Sequence, residues 1–269
     1  MNHQLTLILL LFLAIFTSCN KNKSLIIQDP GFPYLDTVKF DPELTTVYIW
    51  NDNKLIREKS KHFYTAHNYN PKNQLISSDY YVDPSIYSSD SEVFQAGLKR
   101  EEWVNPKNTA RDMFKTYQYN PMGQLIKISI HRLSTNYESY STFQYNSNKQ
   151  ISKETWTAEN KIYGTNDFLY DDTGNLILKS HFDVSADGSS KLSTTTTYEF
   201  DHQKNPYLLI KMPLPGIYTN QNNIVKETYT IYFEVDPSID KVQISQTSYT
   251  YNDKGYPEKK NGNIDFIYY

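Results

Sequence analysis

The turn at residues 117–126 constrains this chain more than any other feature, because versions of it return along most of the sequence. Tyr117 and Tyr119 stand two apart, so on an extended strand both side chains leave one face and Gln118 leaves the other. Asn120 and Pro121 open a turn: Asn bonds the backbone ahead of it through its side chain, and Pro presets φ at the next position. Gly123 accepts the left-handed conformation that closes a type I turn with a bulge, and Leu125 with Ile126 begins the return strand. Related wording surrounds Tyr69, Tyr145, Tyr170, Phe200 and Tyr251, and a turn one residue shorter follows Trp50. The copies fall about 25 residues apart or about twice that, so one unit is two strands of roughly ten residues. Turns must then alternate between two ends of a sheet, with the far-end turns at 133–136, 158–161, 185–189 and 235–239. The fold expected is all-β, an antiparallel up-and-down meander of about a dozen strands. A twist of roughly 20–25° per strand forces so wide a sheet to curve strongly or fold over. Residues 80–111 depart from the pattern, with 91–104 fitting either a short helix or a long irregular hairpin, and Pro206, Pro213 and Pro215 interrupt the return strand after Phe200.

The N-terminus carries an address. Residues 5–16 form an apolar run too short to span a bilayer, followed by Thr17, Ser18 and Cys19. This resembles the lipobox of bacterial lipoproteins, with Phe16 where Leu is commoner. The resemblance implies a signal peptide at 1–18, acylation of Cys19 (palmitate), and attachment to a membrane through that lipid. Asn20 in place of Asp implies the outer membrane, with its periplasmic and surface faces both open. Residues 19–42 read as the lipidated cysteine and a tether, interrupted by Asp29, Pro30 and Gly31, and 43–269 as a single β domain. Cys19 is the only cysteine, so neither disulfides nor cysteine-type zinc sites are expected.

Composition supports a folded but thin-cored sheet. Hydrophobic residues make up only 38%, yet 24 Tyr and 13 Phe argue against disorder, since tyrosine favours strands and tolerates half-burial. A formal net charge of -3 gives no broad attraction to nucleic acid.

Catalytic signatures are absent from the sequence. His62, His67, His131, His181 and His202 are scattered without metal-ligand spacing, and no nucleophile elbow, Walker loop or dinucleotide fingerprint occurs. Asp171 and Asp172 sit where Asp caps its own backbone in a turn. No catalytic residue, metal or cofactor is therefore expected, and the chain reads as a non-enzyme. Trp50, Trp103 and Trp156 are the candidate ligand-stacking residues, with core packing as the alternative for each.

The pattern Y-x-Y-[ND]-x-x-G-[NQ]-L-I, clearest at 117–126 and 168–177, resembles the YD repeat of RHS-type proteins. The chain is also similar to small Bacteroidetes lipoproteins of unknown function with such repeats, notably over 198–227 with Asn205, Pro206 and Tyr207. The copies are too few to enclose a domain as large RHS shells do. The resemblance implies a lipid-anchored envelope protein, a binding or scaffolding module for a glycan or envelope protein. A structural or assembly factor, and a hydrolase assembled from distant strands, are the alternatives.

Overall fold

The computed structural model describes residues 34–40, 45–60, 63–82, 110–233 and 237–269. Cys19 and the signal segment, the stretch 91–104 and Trp103 lie outside the described residues.

Seventeen strands follow one another among the described residues: β1 (Leu35–Lys39), β2 (Thr46–Asn51), β3 (Lys54–Lys59), β4 (Phe63–Tyr69), β5 (Leu75–Val82), β6 (Ala110–Tyr119), β7 (Leu125–Arg132), β8 (Tyr137–Tyr145) and β9 (Ile151–Ala158). They continue with β10 (Lys161–Tyr170), β11 (Leu176–Val184), β12 (Ser190–Lys204), β13 (Asn222–Ile231), β14 (Lys241–Gln246), β15 (Tyr249–Tyr251), β16 (Pro257–Lys260) and β17 (Ile264–Tyr268). The count exceeds the dozen expected, because the ends of the chain pair as well. Leu35–Lys39, inside the stretch read as tether, is a strand that pairs with both β17 and β2.

All seventeen belong to one antiparallel sheet. Each strand from β1 to β13 pairs with the next, and β17 adds β16 and then β15 on the other side of β1. No ladder joins β14 to β15, so the sheet is not closed by pairing. The two ends of the series are nonetheless consecutive pieces of chain: Thr247 N–H still donates to Val225 O beside β13, whereas Ser248 O accepts from Asn261 N–H beside β16. A sheet whose ends meet in this way is strongly curved.

The recurring turn forms as its residues dictate. At 120–124, Gly123 N–H donates to Asn120 O at 2.9 Å and Gly123 has φ +83°. Asn120 Oδ1 accepts from Gln124 N–H, while its Nδ2 donates to Gln124 Oε1, both at 2.9 Å. Asn70 with Gln74 and Asn146 with Gln150 repeat both side-chain bonds. Asn73 and Lys149 take the left-handed position that glycine takes elsewhere, at φ 63° and 62°. Asp171 makes the same turn, accepting from Thr173 N–H and Asn175 N–H. Burial raises its carboxyl, but the Thr173 and Asn175 hydrogen bonds outweigh this and hold the pKa below the ordinary value. The turn reading of Asp171 is thereby accounted for.

Buried side chains gather on one face, here called inner. Leu35, Leu55, Leu75, Leu125, Ile151, Leu176 and Pro257, mostly the first residue after a turn, form a buried layer near the turn end of the sheet. An aromatic residue at the end of the neighbouring strand closes each step. Tyr69 OH donates to Leu55 O, Tyr119 to Leu75 O, Tyr145 to Leu125 O, Tyr170 to Ile151 O and Tyr268 to Pro257 O, over 2.7–2.9 Å. In every case the accepting carbonyl lies two residues beyond the last pair of the adjoining ladder, as Leu75 lies beyond Ser77↔Thr116. The hydroxyl thus replaces a ladder bond where the strands separate toward their turns.

Trp50 is the first member of this series. Its Nε1–H donates to Leu35 O at 2.8 Å, its ring lies 4.9 Å from Tyr34, and it is only 3% exposed. Of the two readings of Trp50, ligand stacking and core packing, its burial fits the second: it is a structural cap, in the same pre-turn position as Tyr69 and Tyr119.

The series breaks at Phe200, which has no hydroxyl to offer the Leu176 step. There the chain between β12 and β13 turns onto the inner face, with Pro206 and Ile210 of the 3-10 segment Pro206–Ile210 buried along with Met212. Tyr207 meets Phe266 and Tyr218 edge-on at 6.2 Å each. Asparagines tie the connection down. Asn205 Nδ2 donates to Ile217 O and Asn220 O, Leu176 N–H donates to Asn220 Oδ1, and Asn175 Oδ1 accepts from Gln221 and Asn222 N–H.

Candidate functional site

The inner face is divided by this connection into a packed part and an open part. On the packed side, β3 to β6 place Glu58, His67, Ser78, Tyr80, Lys115 and Tyr117 together. His67 Nδ1 is 2.9 Å from Ser78 Oγ, its Nε2 is 3.1 Å from Glu58 Oε1, and Tyr117 OH is 3.3 Å from Ser78 Oγ. Serine, histidine and carboxylate in series suggest a nucleophile with its base. Ser78, however, is 0% exposed, and a nucleophile needs space about 3 Å away for the reacting carbon. The surroundings bear the imprint of burial: it pushes the Tyr117 hydroxyl up and the Lys115 ammonium down, Glu58 opposing the latter. A fully partnered polar network of this kind fixes the register of β3, β4 and β5. Sequence reading missed it because His67 and Ser78 come together only through the β4–β5 register, in which they are direct partners.

The open side is a cavity of about 600 Å³ between the inner faces of β9 to β17 and the connection. Glu154, Lys179, Glu227 and Lys260 reach it from the sheet, with Tyr198 and Tyr249 between them, and Asn220 reaches it from the connection. This size lies within the range of small-ligand sites. Glu154 is already engaged: Oε1 accepts from Ser141 Oγ at 2.6 Å and Oε2 from Asn166 Nδ2 at 2.8 Å. Asn166 Oδ1 in turn faces His181 Nδ1 at 2.9 Å. Burial, then the adjacent Glu227, raises the Tyr198 hydroxyl, and burial followed by Asp201 pushes Tyr249 up to about 12. Both phenols are therefore neutral hydrogen-bonding groups at physiological pH. The two glutamates are not neighbours. They stand on β9 and β13, four strands apart in the order of the sheet.

Beyond Glu154, β9 presents Trp156. Residues two apart share a face, so Trp156 projects from the inner side past the cavity, toward the far-end turns. It pairs with Gly164 across β10, where a bulge adds Tyr163 opposite it. The indole and the Tyr163 ring lie 5.4 Å apart at 42°, and the two residues are 39% and 41% exposed. Of the three tryptophans singled out in the sequence, Trp156 is an open aromatic surface, Trp50 is a buried cap, and Trp103 lies outside the described residues. Among those residues no group of His, Cys, Asp and Glu could hold a metal ion, and no helix is long and apolar enough to cross a membrane.

No family model matches the chain, and no curated protein matches it. Solved structures with a similar arrangement include a porin-like protein from Bacteroides uniformis, at 11% identity, covering 84% of this chain and 90% of that one with a TM-score of 0.43. A porin-like protein from Bacteroides vulgatus matches at 13% identity, covering 88% of this chain and 99% of that one, TM-score 0.38. A DUF3836 family protein from Parabacteroides distasonis matches at 14% identity over 49% of this chain and 91% of that one, TM-score 0.23.

Proposed function

We propose that this chain is a lipid-anchored, non-catalytic envelope protein of the YD-repeat-like kind that binds a glycan on its inner face. One observation carries the reading: β9 aims Trp156 and Glu154 from the same face, so an open aromatic platform adjoins a cavity rich in polar groups. A sugar ring offers an apolar C–H face to stack and a rim of hydroxyls to hydrogen-bond. The Trp156–Tyr163 pair meets the first need, and Tyr198 and Tyr249 along the cavity meet the second. Rigid strands supply nearly all of these groups, which lowers the ordering cost of binding.

The test is a glycan array probed with the full chain and with Trp156→Ala, followed by titration of the best ligand. Trp156→Ala should weaken binding at least tenfold, about 1.4 kcal/mol, and Trp156→Phe should recover most of it. Equal binding by wild type and Trp156→Ala refutes the assignment. A chain that binds no glycan but pulls down one envelope protein reproducibly supports the scaffolding alternative instead.

A further inference from the structure

The sheet leaves the second edge of β14 open. The strand pairs with β13 over Lys241–Gln246 without a bulge, no ladder joins it to β15, and all six of its residues are exposed. In an antiparallel pair, successive residues point their backbone groups alternately toward the partner and away from it. Thr247 N–H donates to Val225 O, so Lys241, Gln243 and Ser245 turn toward β13, while Val242, Ile244 and Gln246 turn their N–H and C=O to the open edge. Ser248 follows the same alternation: its N–H donates to Asn261 Oδ1 and its O accepts from Asn261 N–H. Among the described residues nothing meets the outward groups of Val242, Ile244 and Gln246. Val242 and Ile244 share the outer face and are 60% and 58% exposed. Open edges are usually blunted by proline, a bulge or a central charge. β14 has none of these, and its single charge is Lys241 at one end.

We infer that β14 joins two copies of this chain, pairing antiparallel with the partner's β14 about a two-fold axis at Gln243. Charge selects this register. Glu227 is the neighbour of Ser245 across the β13–β14 ladder and lines the inner cavity; Lys241 lies on the same face, four residues before Ser245. Within one copy the two charges are four residues apart along the ladder, and neither makes an ion pair among the described residues. With the axis at Gln243, the partner's Lys241 stands opposite Ser245, and Glu227 lies one strand further on. Two strand spacings, about 9.5 Å between Cα atoms, then separate the charges with only a serine between them, and extended side chains close that gap. The two-fold makes the same pair a second time. An axis at Ile244 would instead set Lys241 against Thr247, whose neighbour is Val225, and both ion pairs would be lost. The chosen register also sets Val242 against the partner's Ile244 and the reverse, so four backbone hydrogen bonds and two apolar pairs form together. The partner's strand begins opposite Ser245, short of Ser248, where Asn261 already occupies the edge. A contact built on one short strand from each copy falls below the roughly 1,200–2,000 Å² of stable complexes, so the dimer is weak and reversible. It forms whether or not a glycan is bound.

Sedimentation equilibrium of the full chain in detergent reads the association. The protein mass should rise from one chain toward two as concentration increases to about 0.5 mM, and added salt should weaken the rise. Lys241→Glu, which sets Glu against the partner's Glu227, should raise the dimer Kd at least tenfold, and so should Glu227→Lys. The double variant Lys241→Glu/Glu227→Lys restores both pairs with their signs exchanged and should recover most of the affinity. Two copies merely sharing a micelle would respond to none of these changes. In a Cys19→Ser background, which removes the only native cysteine, Gln243→Cys places two thiol-bearing residues about 4.5 Å apart at Cα across the axis, and an added oxidant should link them. Ser245→Cys places them about 14 Å apart and should give no covalent dimer. A chain that stays monomeric at about 0.5 mM overturns the self-pairing and leaves the edge to a strand of another protein. A dimer indifferent to both charge reversals, or one that links as readily through Ser245→Cys as through Gln243→Cys, overturns the register and the assignment with it.

Discussion

Tyr119→Phe tests what holds neighbouring hairpins together. The substitution removes one oxygen atom and leaves the ring, and that oxygen donates to Leu75 O at 2.9 Å. Leu75 is 4% exposed and lies two residues past the last β5–β6 pair, so its carbonyl finds no replacement donor from β6. A typical hydrogen bond contributes about 1 kcal/mol net, and an acceptor stranded in the interior adds about 1–3 kcal/mol; partial access for water near the turn favours a total near 1.5 kcal/mol. With a urea m-value at the upper end of about 1–3 kcal/mol/M for a domain of this size, the midpoint should fall by about 0.5 M. Tyr163→Phe is the control, because its hydroxyl has no partner among the described residues and its ring is well exposed. Its midpoint should move by less than about 0.2 M, as surface substitutions usually do. Urea unfolding followed by tryptophan fluorescence measures both. If the two variants unfold at the same urea concentration, the hydroxyl ladder does not carry the contact between repeats and the reasoning fails.

Two further outcomes follow from the same structure and sequence. Burial pushes Tyr69, Tyr218 and Tyr249 up to about 12, with Glu58 next in importance for the first two and Asp201 for the third. The unfolded chain ionises near pH 10, so stability is level below that pH and is lost between about pH 10 and 12, where only the unfolded state gives up its protons; a urea midpoint unchanged across that window contradicts it. Cys19→Ser should move the protein from the membrane to the soluble periplasmic fraction, and unchanged sedimentation with membranes argues against a lipid anchor.

What could be read from the sequence divides along the distance over which each interaction acts. Asn120, Pro121 and Gly123 settle their turn within five residues, so the turns and their alternation between two ends were legible. The Gln124 side chain that completes the Asn120 bond was visible as a recurring letter, but its partner was not. The hydroxyl ladder was hidden, because Tyr119 reaches a carbonyl 44 residues back and only the pairing of β5 with β6 brings them together. Trp50 and Trp156 show the same limit in another form. Both are strand tryptophans, yet Trp50 occupies the pre-turn position of the tyrosine caps, whereas Trp156 stands next to the far-end turn, where the inner face opens. Position within the unit, not residue type, separates the cap from the exposed platform. Charged residues such as Lys179 and Glu227 alternate with others along ordinary strands, so nothing local marks them as facing a cavity.

The cavity and the failure of the repeat have a common origin. Where a tyrosine precedes the turn, its ring and hydroxyl fill the space between one hairpin and the next, and the inner face becomes solid. Phe200 supplies the ring without the hydroxyl, and Pro206 ends the possibility of an immediate return strand. The chain must then spend residues 205–221 crossing the inner face before β13 begins, and it binds itself there through Asn175, Asn205 and Asn220 instead of through a tyrosine. A loop held by side-chain amides packs less closely than a leucine layer. It therefore leaves the roughly 600 Å³ that Lys179, Glu227 and Lys260 line. Departure from the repeat at one residue thus creates the volume, while the regular strands on either side keep the groups around it fixed in place.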